Sequence, residues 1–371
     1  MGMKPAVLCT ALTAAFAAVG VFAESAKATF TNPIWEKDAP DPFVTYDAET
    51  GYYYGLRTNV RGVELFRSRQ AATIFSGGDS KTMWRPNAGD GVLSDIWAPE
   101  MYKAPDGKWY VYASGNVATN GWKVRIFALQ SKTVDPFDGF VFKGIPDPDM
   151  QAIDPTVWIA PDGRRYMVYS FMVKGGQRLG IRPFATPWTY AGPNVEIARA
   201  ELPWEVTWAK QRIVEGAFML RRGKRSYIIY SANGCWNDDY ALGVLEFMGG
   251  DPMNAVNWKK HQSPILVKGN GVFGPGHASF FMSPDGAETW CAYHGLVAHN
   301  EHHKPAVRKP NLQKVKWTDD DYPILGVPTL RGVPIAAPSG EMKSFANRRV
   351  ELSRQPGSRM EELGAARVRP L

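Results

Sequence analysis

Cysteine is scarce in this chain, with three residues in 371. Cys9 lies in the N-terminal apolar run, which leaves Cys235 and Cys291 for the rest of the protein. Neither has a second cysteine at the spacing of a metal site, so the sequence excludes a zinc ribbon or finger. Whether Cys235 and Cys291 pair in an oxidising compartment is left open, because the sequence does not define the distance between them.

Long apolar runs are absent beyond the N-terminus. Lys4 precedes an apolar stretch rich in Ala, Leu and Val, and small residues follow it. This is the pattern of a secretory signal, with cleavage after Ala28 or after Ala23. We expect residues 1–28 to be removed and the mature protein to be secreted or periplasmic, with no membrane span. An uncleaved anchor is the alternative.

A strong charge excess is also missing, since the formal net charge is +7. No stripe of Lys and Arg is interleaved with aromatics, so nucleic-acid binding is not predicted. His299, His302 and His303 are potential metal ligands by composition. Their spacing is not that of a helical zinc motif, and a metal cluster is not predicted there.

What the sequence does contain is a repeat of two apolar runs joined by a turn, each led by an ionisable residue. The aromatics that open the second runs are separated by steps of 57, 56, 61 and 63 residues; they are Tyr53, Tyr110, Tyr166, Tyr227 and Trp290. Asp-Gly turns between such runs indicate β-hairpins. Hairpins repeated at this period predict an all-β fold, a five-bladed β-propeller.

The ionisable residues that lead the five repeats are Asp41, Glu100, Asp154, Glu215 and His277. In a propeller the first strand of each blade lines the central channel, so we expect these side chains to converge at one end of the axis. Taken singly, each acid is better explained as a strand-start residue that satisfies a turn. The shared register favours a functional site.

The repeats are spread evenly, without a Ser- or Gly-rich linker, and predict one propeller domain over residues 29–338. Residues 29–35 precede the first repeat, and we expect them to close the ring against the last blade. Residues 339–371 are polar and charged, and we expect them to form a mobile or loosely docked tail.

Three of these acids have the properties that glycosidic bond cleavage requires. Asp41 lies between two prolines, which stiffen the backbone and hold its carboxylate in one direction. Glu215 lies in an apolar segment, where desolvation raises the pKa of a carboxyl group, as a general acid requires. Asp154 would add a like charge near Glu215 and raise that pKa further.

The segments APDPF, WAPE, AIDPTV, VEGAF and GPGHASF, in this order, resemble glycoside hydrolase family 43 over residues 32–328. The resemblance implies an inverting glycosidase with Asp41 as general base, Glu215 as general acid and Asp154 as the residue that tunes and orients the acid. Inversion requires room for a water, so the carboxyls of Asp41 and Glu215 should lie about 6.5–9.5 Å apart.

The resemblance also implies further site residues. His277 matches a position where a calcium or another cation is held through waters; no cofactor is required for the reaction. Arg308 resembles an arginine that reaches the substrate. Trp97 offers a flat apolar face for a sugar ring, and Trp158, Trp236 and Phe218 are similar candidates.

The implied substrate is plant cell-wall polysaccharide or oligosaccharide, and the motifs most resemble those of α-L-arabinofuranosidases acting on arabinan or arabinoxylan. Three alternatives remain: a β-xylosidase, an endo-arabinanase of the same family, and a propeller that binds glycans without cleaving them. The presence of all three acids argues against the last. Exo or endo action and the oligomeric state are not predicted.

Overall fold

The protein is described by a computed structural model for residues 28–87, 89–207, 212–300 and 306–341. Within these ranges the chain forms five large antiparallel sheets, each built from consecutive strands, and two further sheets of two short strands. The first strand of each large sheet contacts the first strand of the next, in a closed cycle around a common axis. The five-bladed propeller predicted from the repeat is confirmed.

Strand β1 (Thr29–Phe30) precedes the blades. Blade 1 comprises β2 (Phe43–Asp47), β3 (Tyr52–Leu56), β4 (Val63–Ser68) and β5 (Asp79–Trp84). Blade 2 comprises β6 (Ser94–Lys103), β7 (Trp109–Asn116), β8 (Val124–Ser131) and β9 (Phe140–Gly144). Blade 3 comprises β10 (Ala152–Ile159), β11 (Arg165–Val173), β12 (Gly176–Thr186), β13 (Thr189–Tyr190) and β14 (Val195–Arg199), and both last strands pair with β12.

Blade 4 comprises β15 (Val214–Arg222), β16 (Arg225–Ala232), β17 (Ala241–Phe247) and β18 (Trp258–Lys260). Blade 5 comprises β19 (Phe273–Met282), β20 (Thr289–Leu296) and β21 (Lys309–Lys314). Three short strands follow: β22 (Lys316–Trp317), β23 (Pro323–Ile324) and β24 (Ile335–Ala336). The helices of the described ranges are single 3₁₀ turns at Ala71–Thr73, Pro136–Asp138, Pro203–Glu205 and Ala255–Asn257. None of them is long and apolar enough to cross a membrane.

The hydrophobic core is divided into five clusters, one between each pair of neighbouring blades. The aromatics that set the repeat period all lie on second strands and are buried in these clusters; they are Tyr53, Tyr110, Tyr166, Tyr227 and Trp290. A large ring at this position fills the gap between one twisted sheet and the next, and burial of such a ring is a major stabilising contribution. The period therefore reflects packing of sheet against sheet.

The N-terminal segment closes the ring, as expected. The side chain of Asn32 exchanges two hydrogen bonds with the backbone of Leu312 on β21, at 2.8 and 3.0 Å, and β1 pairs with β24. At the other end, Glu341 accepts a hydrogen bond from the backbone N–H of Ala71 at 2.9 Å. The predicted signal up to residue 27 and the tail beyond residue 341 lie outside the described residues.

Candidate active site

In each blade a residue just before the first strand or within its first five residues has a φ in the left-handed region, between 42° and 57°. We call it the corner of the blade; the five corners are Asp41, Ala98, Asp154, Gly216 and His277. Next to four of them, the pairing register of the first strand with the second shifts by a β-bulge. Bulges re-aim side chains, and non-glycine residues adopt this φ only where their surroundings hold them. The five sequence repeats therefore share this left-handed backbone conformation near the start of the first strand.

Polar side chains of the preceding blade hold these corners. The backbone N–H groups of Ala98, Asp154 and His277 donate to hydroxyls of the blade before, at 2.8, 3.1 and 2.9 Å; the acceptors are Thr58, Ser114 and Ser231. The N–H of Asp41 donates to Nδ1 of His294 at 3.1 Å and completes the cycle.

Blade 4 departs from this pattern. The N–H of Gly216 donates to Oδ2 of Asp154, at 2.8 Å, instead of to a hydroxyl. Glycine is favoured at this corner, because φ is +57° and an added Cβ would lie 3.1 Å from the His277 ring. The corner that carries Glu215 is therefore tied directly to a carboxylate of the neighbouring blade.

The expected convergence of five ionisable residues is wrong for Glu100. In blade 2 the bulge places Ala98 at the corner, and Glu100 follows two residues later on regular strand. Glu100 does not line the cavity described below; its carboxyl hydrogen-bonds Thr156, and burial raises its pKa well above the usual range. The spacing already indicated this, since Asp41 and Ala98 each lie 12 residues ahead of the aromatic that opens the second strand, whereas Glu100 lies 10 ahead.

The other four converge. A cavity of about 1000 Å³ opens at this end of the axis, large enough for more than one sugar ring. Its polar lining includes Asp41, Asp154, Glu215, His277 and Arg308. Its aromatic lining comprises Trp97, Trp122 and Trp236.

Asp41 is buried and surrounded by donors. Its Oδ1 accepts a hydrogen bond from the Arg308 guanidinium at 2.9 Å, and its Oδ2 accepts one from the Thr58 hydroxyl at 2.5 Å. Burial opposes ionisation, but Arg308 and the other groups around Asp41, including the Thr58 hydroxyl, together outweigh it and hold the pKa of Asp41 well below its usual range. Burial also keeps the pKa of His294 well below 6.5, in agreement with its Nδ1 accepting the Asp41 N–H. Asp41 is an ionised carboxylate at neutral pH.

Glu215 and Asp154 shift in the opposite direction. Burial raises the pKa of Glu215 to about 7, and the nearby charge of Asp41 adds to this shift. Burial likewise raises the pKa of Asp154 to about 7, and the like charges of Glu215 and Asp41 reinforce it. One cavity therefore holds an ionised carboxylate beside two carboxyl groups that keep protons near neutrality.

His277 lies between the acids, with Nδ1 3.3 Å from Oδ1 of Asp41 and 4.0 Å from Oδ2 of Asp154. Among the described residues, no three His, Cys, Asp or Glu side chains are arranged to hold a metal ion. The protein side chains do not supply the oxygen-rich shell that calcium prefers, so a cation at His277 stays a prediction.

Two of the predicted substrate contacts are wrong. Trp158 is 0% exposed and packs on Trp258 and Phe247 inside the cluster between blades 3 and 4. Phe218 packs on Phe43 and Phe280 and does not line the cavity. Trp158 is a core residue, and the half-buried Phe218 ring packs against the core between blades.

Sequence reasoning missed several residues of the site. Trp122 is 48% exposed at the cavity wall, and its ring centroid is 5.4 Å from that of Trp97. The sequence did indicate that Trp122 could have a function, since a tryptophan that follows Asn-Gly in a hairpin loop has no obvious core to fill. Gln177 and Tyr240, which contact Glu215, gave no such signal.

The structure also shows the state of Cys235, Cys291 and His299. Cys235 and Cys291 are free thiols; Cys235 lines the cavity, whereas Cys291 is buried in the core. His299 forms an ion pair with Asp238. His302 and His303 lie outside the described residues.

Comparison with known proteins identifies the family. The model of "Glycosyl hydrolases family 43" matches residues 30–323. An extracellular exo-α-(1→5)-L-arabinofuranosidase of Streptomyces avermitilis is 32% identical over 83% of this chain, and the match spans just 66% of that protein. A protein of the same name from Streptomyces chartreusis is 30% identical over 72% of this chain and 82% of its own length.

The structure agrees. An α-L-arabinofuranosidase from Lactobacillus brevis superimposes with a TM-score of 0.74 at 25% identity, covering 82% of this chain and 98% of that one. The family model covers all five blades and each of the corners that bear Asp41, Asp154 and Glu215. The protein belongs to glycosyl hydrolase family 43.

Proposed function

We propose that the protein is an inverting α-L-arabinofuranosidase that releases L-arabinofuranose from arabinan or arabinoxylan-type plant polysaccharide. The observation that carries this proposal is that two carboxyl groups lining one cavity have pKa values shifted in opposite directions. Asp41 is held ionised by Arg308, and Glu215 is held protonated by burial. A general base and a general acid need these states at the same pH.

In the proposed reaction, the Asp41 carboxylate accepts a proton from a water as the water oxygen attacks the anomeric carbon. Glu215 gives its proton to the glycosidic oxygen as the bond from that oxygen to the anomeric carbon breaks. Asp41 ends protonated and Glu215 ionised, and exchange with solvent restores both. Asp154 acts on the acid through the N–H of Gly216, and ionisation of either carboxyl disfavours ionisation of the other.

The choice of arabinofuranose is supported by the names of the relatives from two Streptomyces species and from Lactobacillus brevis. The cavity volume of about 1000 Å³ exceeds that of one pentose, so we infer that sugars beyond the cleaved one also bind. Trp97 and Trp122 would form their apolar platform. Two Streptomyces relatives are named extracellular, and we propose export of this chain by the signal at residues 1–28.

The test is turnover by purified protein on aryl α-L-arabinofuranoside, aryl β-xyloside and linear arabinan. We expect arabinofuranoside cleavage, with proton NMR showing the inverted β-anomer of arabinose as first product. Retention would contradict the role of Asp41 as base. Cleavage of the xyloside alone would indicate a β-xylosidase, internal cuts in arabinan an endo-arabinanase, and binding without turnover a glycan-binding propeller.

A further inference from the structure

The carboxyl of Glu215 is contacted from two sides by residues to which no role has been assigned. The Tyr240 hydroxyl lies 3.0 Å from Oε1 and comes from the start of blade 4's third strand. With its nitrogen facing these acceptors, the Gln177 amide donates to Oε2 at 3.2 Å and to the Val214 carbonyl at 3.3 Å. Each carboxyl oxygen of Glu215 thus has its own neutral partner.

The direction of the Tyr240 hydrogen bond is set by its other neighbours. The Ser231 hydroxyl accepts the backbone N–H of His277, at 2.9 Å, and hydrogen-bonds the Tyr240 phenol. The Ser231 hydrogen bond lowers the pKa of the Tyr240 phenol, as a hydrogen bond donated to the phenol oxygen does. The Tyr240 proton is then left for Glu215, and burial raises the pKa of the phenol well above 10, so that this proton is retained.

The ring of Tyr240 is held as firmly as its hydroxyl. It stacks on His294 with centroids 5.6 Å apart and planes 3° from parallel. On its other side it lies against Gly276, where an added Cβ would come within 2.3 Å of the ring. The ring therefore connects the corner of Asp41, whose N–H is bound by His294, to the carboxyl of Glu215.

We propose that Tyr240 and Gln177 are positioning residues that hold the Glu215 carboxyl from opposite sides and direct its proton toward the glycosidic oxygen. The inference rests on the proposed function, in which Glu215 is the general acid. A purely structural role for Tyr240 would affect folding stability alone. A positioning role must also change how Glu215 titrates.

Tyr240 and Gln177 both donate hydrogen bonds to the Glu215 carboxyl. Such bonds favour its ionised form, so they lower the pKa of Glu215 against the effect of burial. Removing either donor should therefore raise that pKa. The other titratable groups that face Glu215 are Asp41, Asp154, Arg308 and Cys235, and neither substitution removes any of them.

The experiment compares Tyr240→Phe with wild type in two measurements. We expect the basic limb of the kcat/KM profile to move up by about one pH unit, the effect of one buried hydrogen bond to a charged group. We expect the same shift in a ¹³C NMR titration of the Glu215 carboxyl, assigned by its absence in Glu215→Gln. The NMR titration needs no substrate, so it tests the positioning role even if the proposed activity fails.

Tyr230→Phe is the matched control. Tyr230 is also buried and donates to a carboxylate, Glu205, at 2.6 Å, away from the cavity. This variant should leave both profiles unchanged. Gln177→Leu should shift the Glu215 titration upward, and it decides the question if Tyr240→Phe does not fold. An unchanged Glu215 titration in a folded Tyr240→Phe or Gln177→Leu protein would overturn the proposal for the residue replaced.

Discussion

Oδ2 of Asp154 accepts the backbone N–H of Gly216 at 2.8 Å, and this bond replaces the hydroxyl contact that holds the corners of three other blades. Asp154 therefore has two separable effects on Glu215. Its oxygen places the backbone corner that carries the acid. Its charge and that of Glu215 each disfavour ionisation of the other.

Two substitutions at Asp154 should separate these effects. Asp154→Asn keeps an acceptor for the Gly216 N–H and removes the charge, so the pKa of Glu215 should fall and the basic limb of kcat/KM should move to lower pH. Asp154→Ala removes both and should lower kcat by a further factor of about 10 or more. Equal pH profiles and equal rates for the two variants would contradict a role for the bond.

Asp41→Asn should abolish hydrolysis of every substrate, because no carboxylate remains to accept the proton of the attacking water. The expected loss in kcat is at least about 10³-fold, for good and poor leaving groups alike. Steady-state assays on aryl arabinofuranoside and arabinan check this. Activity retained on either substrate would require a different base.

Arg308→Gln should move the acid limb of the pH profile upward. Arg308 lowers the pKa of Asp41, whereas burial raises it, so the pKa should rise once the guanidinium is gone. Loss of an adjacent opposite charge corresponds to about 1–3 pH units. Arg57→Gln is the control, because Arg57 lines the same cavity but pairs with Glu64 at 3.2 Å. An acid limb at the same pH in both variants would contradict the assignment.

Glu215→Gln should distinguish substrates by their leaving groups. Natural linkages need protonation of the departing oxygen, and we expect kcat on arabinan to fall by about 10²–10⁴-fold. An aryl glycoside with an acidic phenol departs unaided and should lose far less. Equal losses on the two substrates would refute the role of Glu215 as general acid.

Trp122→Ala should raise KM for arabino-oligosaccharides about 3- to 10-fold, with little change in KM for a small aryl glycoside, because the lost aromatic platform contacts sugars beyond the cleaved one. Trp158→Phe is the control: its ring lies in the core, so it should lower thermal stability and leave both KM values unchanged. A KM for oligosaccharides unchanged by Trp122→Ala would remove this residue from the binding site.

The sequence alone determined the number of blades, since Tyr53, Tyr110, Tyr166, Tyr227 and Trp290 recur at the period that sheet-on-sheet packing requires. The sequence also identified Asp41, Asp154 and Glu215 as candidate site residues, because their motifs lie at blade starts. Roles for these acids remain proposals that the site geometry supports.

Tertiary structure alone decided which side chains reach the cavity. The corner of blade 2 falls on Ala98 and leaves Glu100 off the cavity, while Trp158 lies in the core and Phe218 packs against other aromatic rings. Tyr240 and Gln177 meet Glu215 from different blades, at sequence separations of 25 and 38 residues. The sequence pattern of a strand shows which of its residues alternate between the two faces of a sheet. Contacts between blades depend instead on how bulges and loops orient each strand end in space.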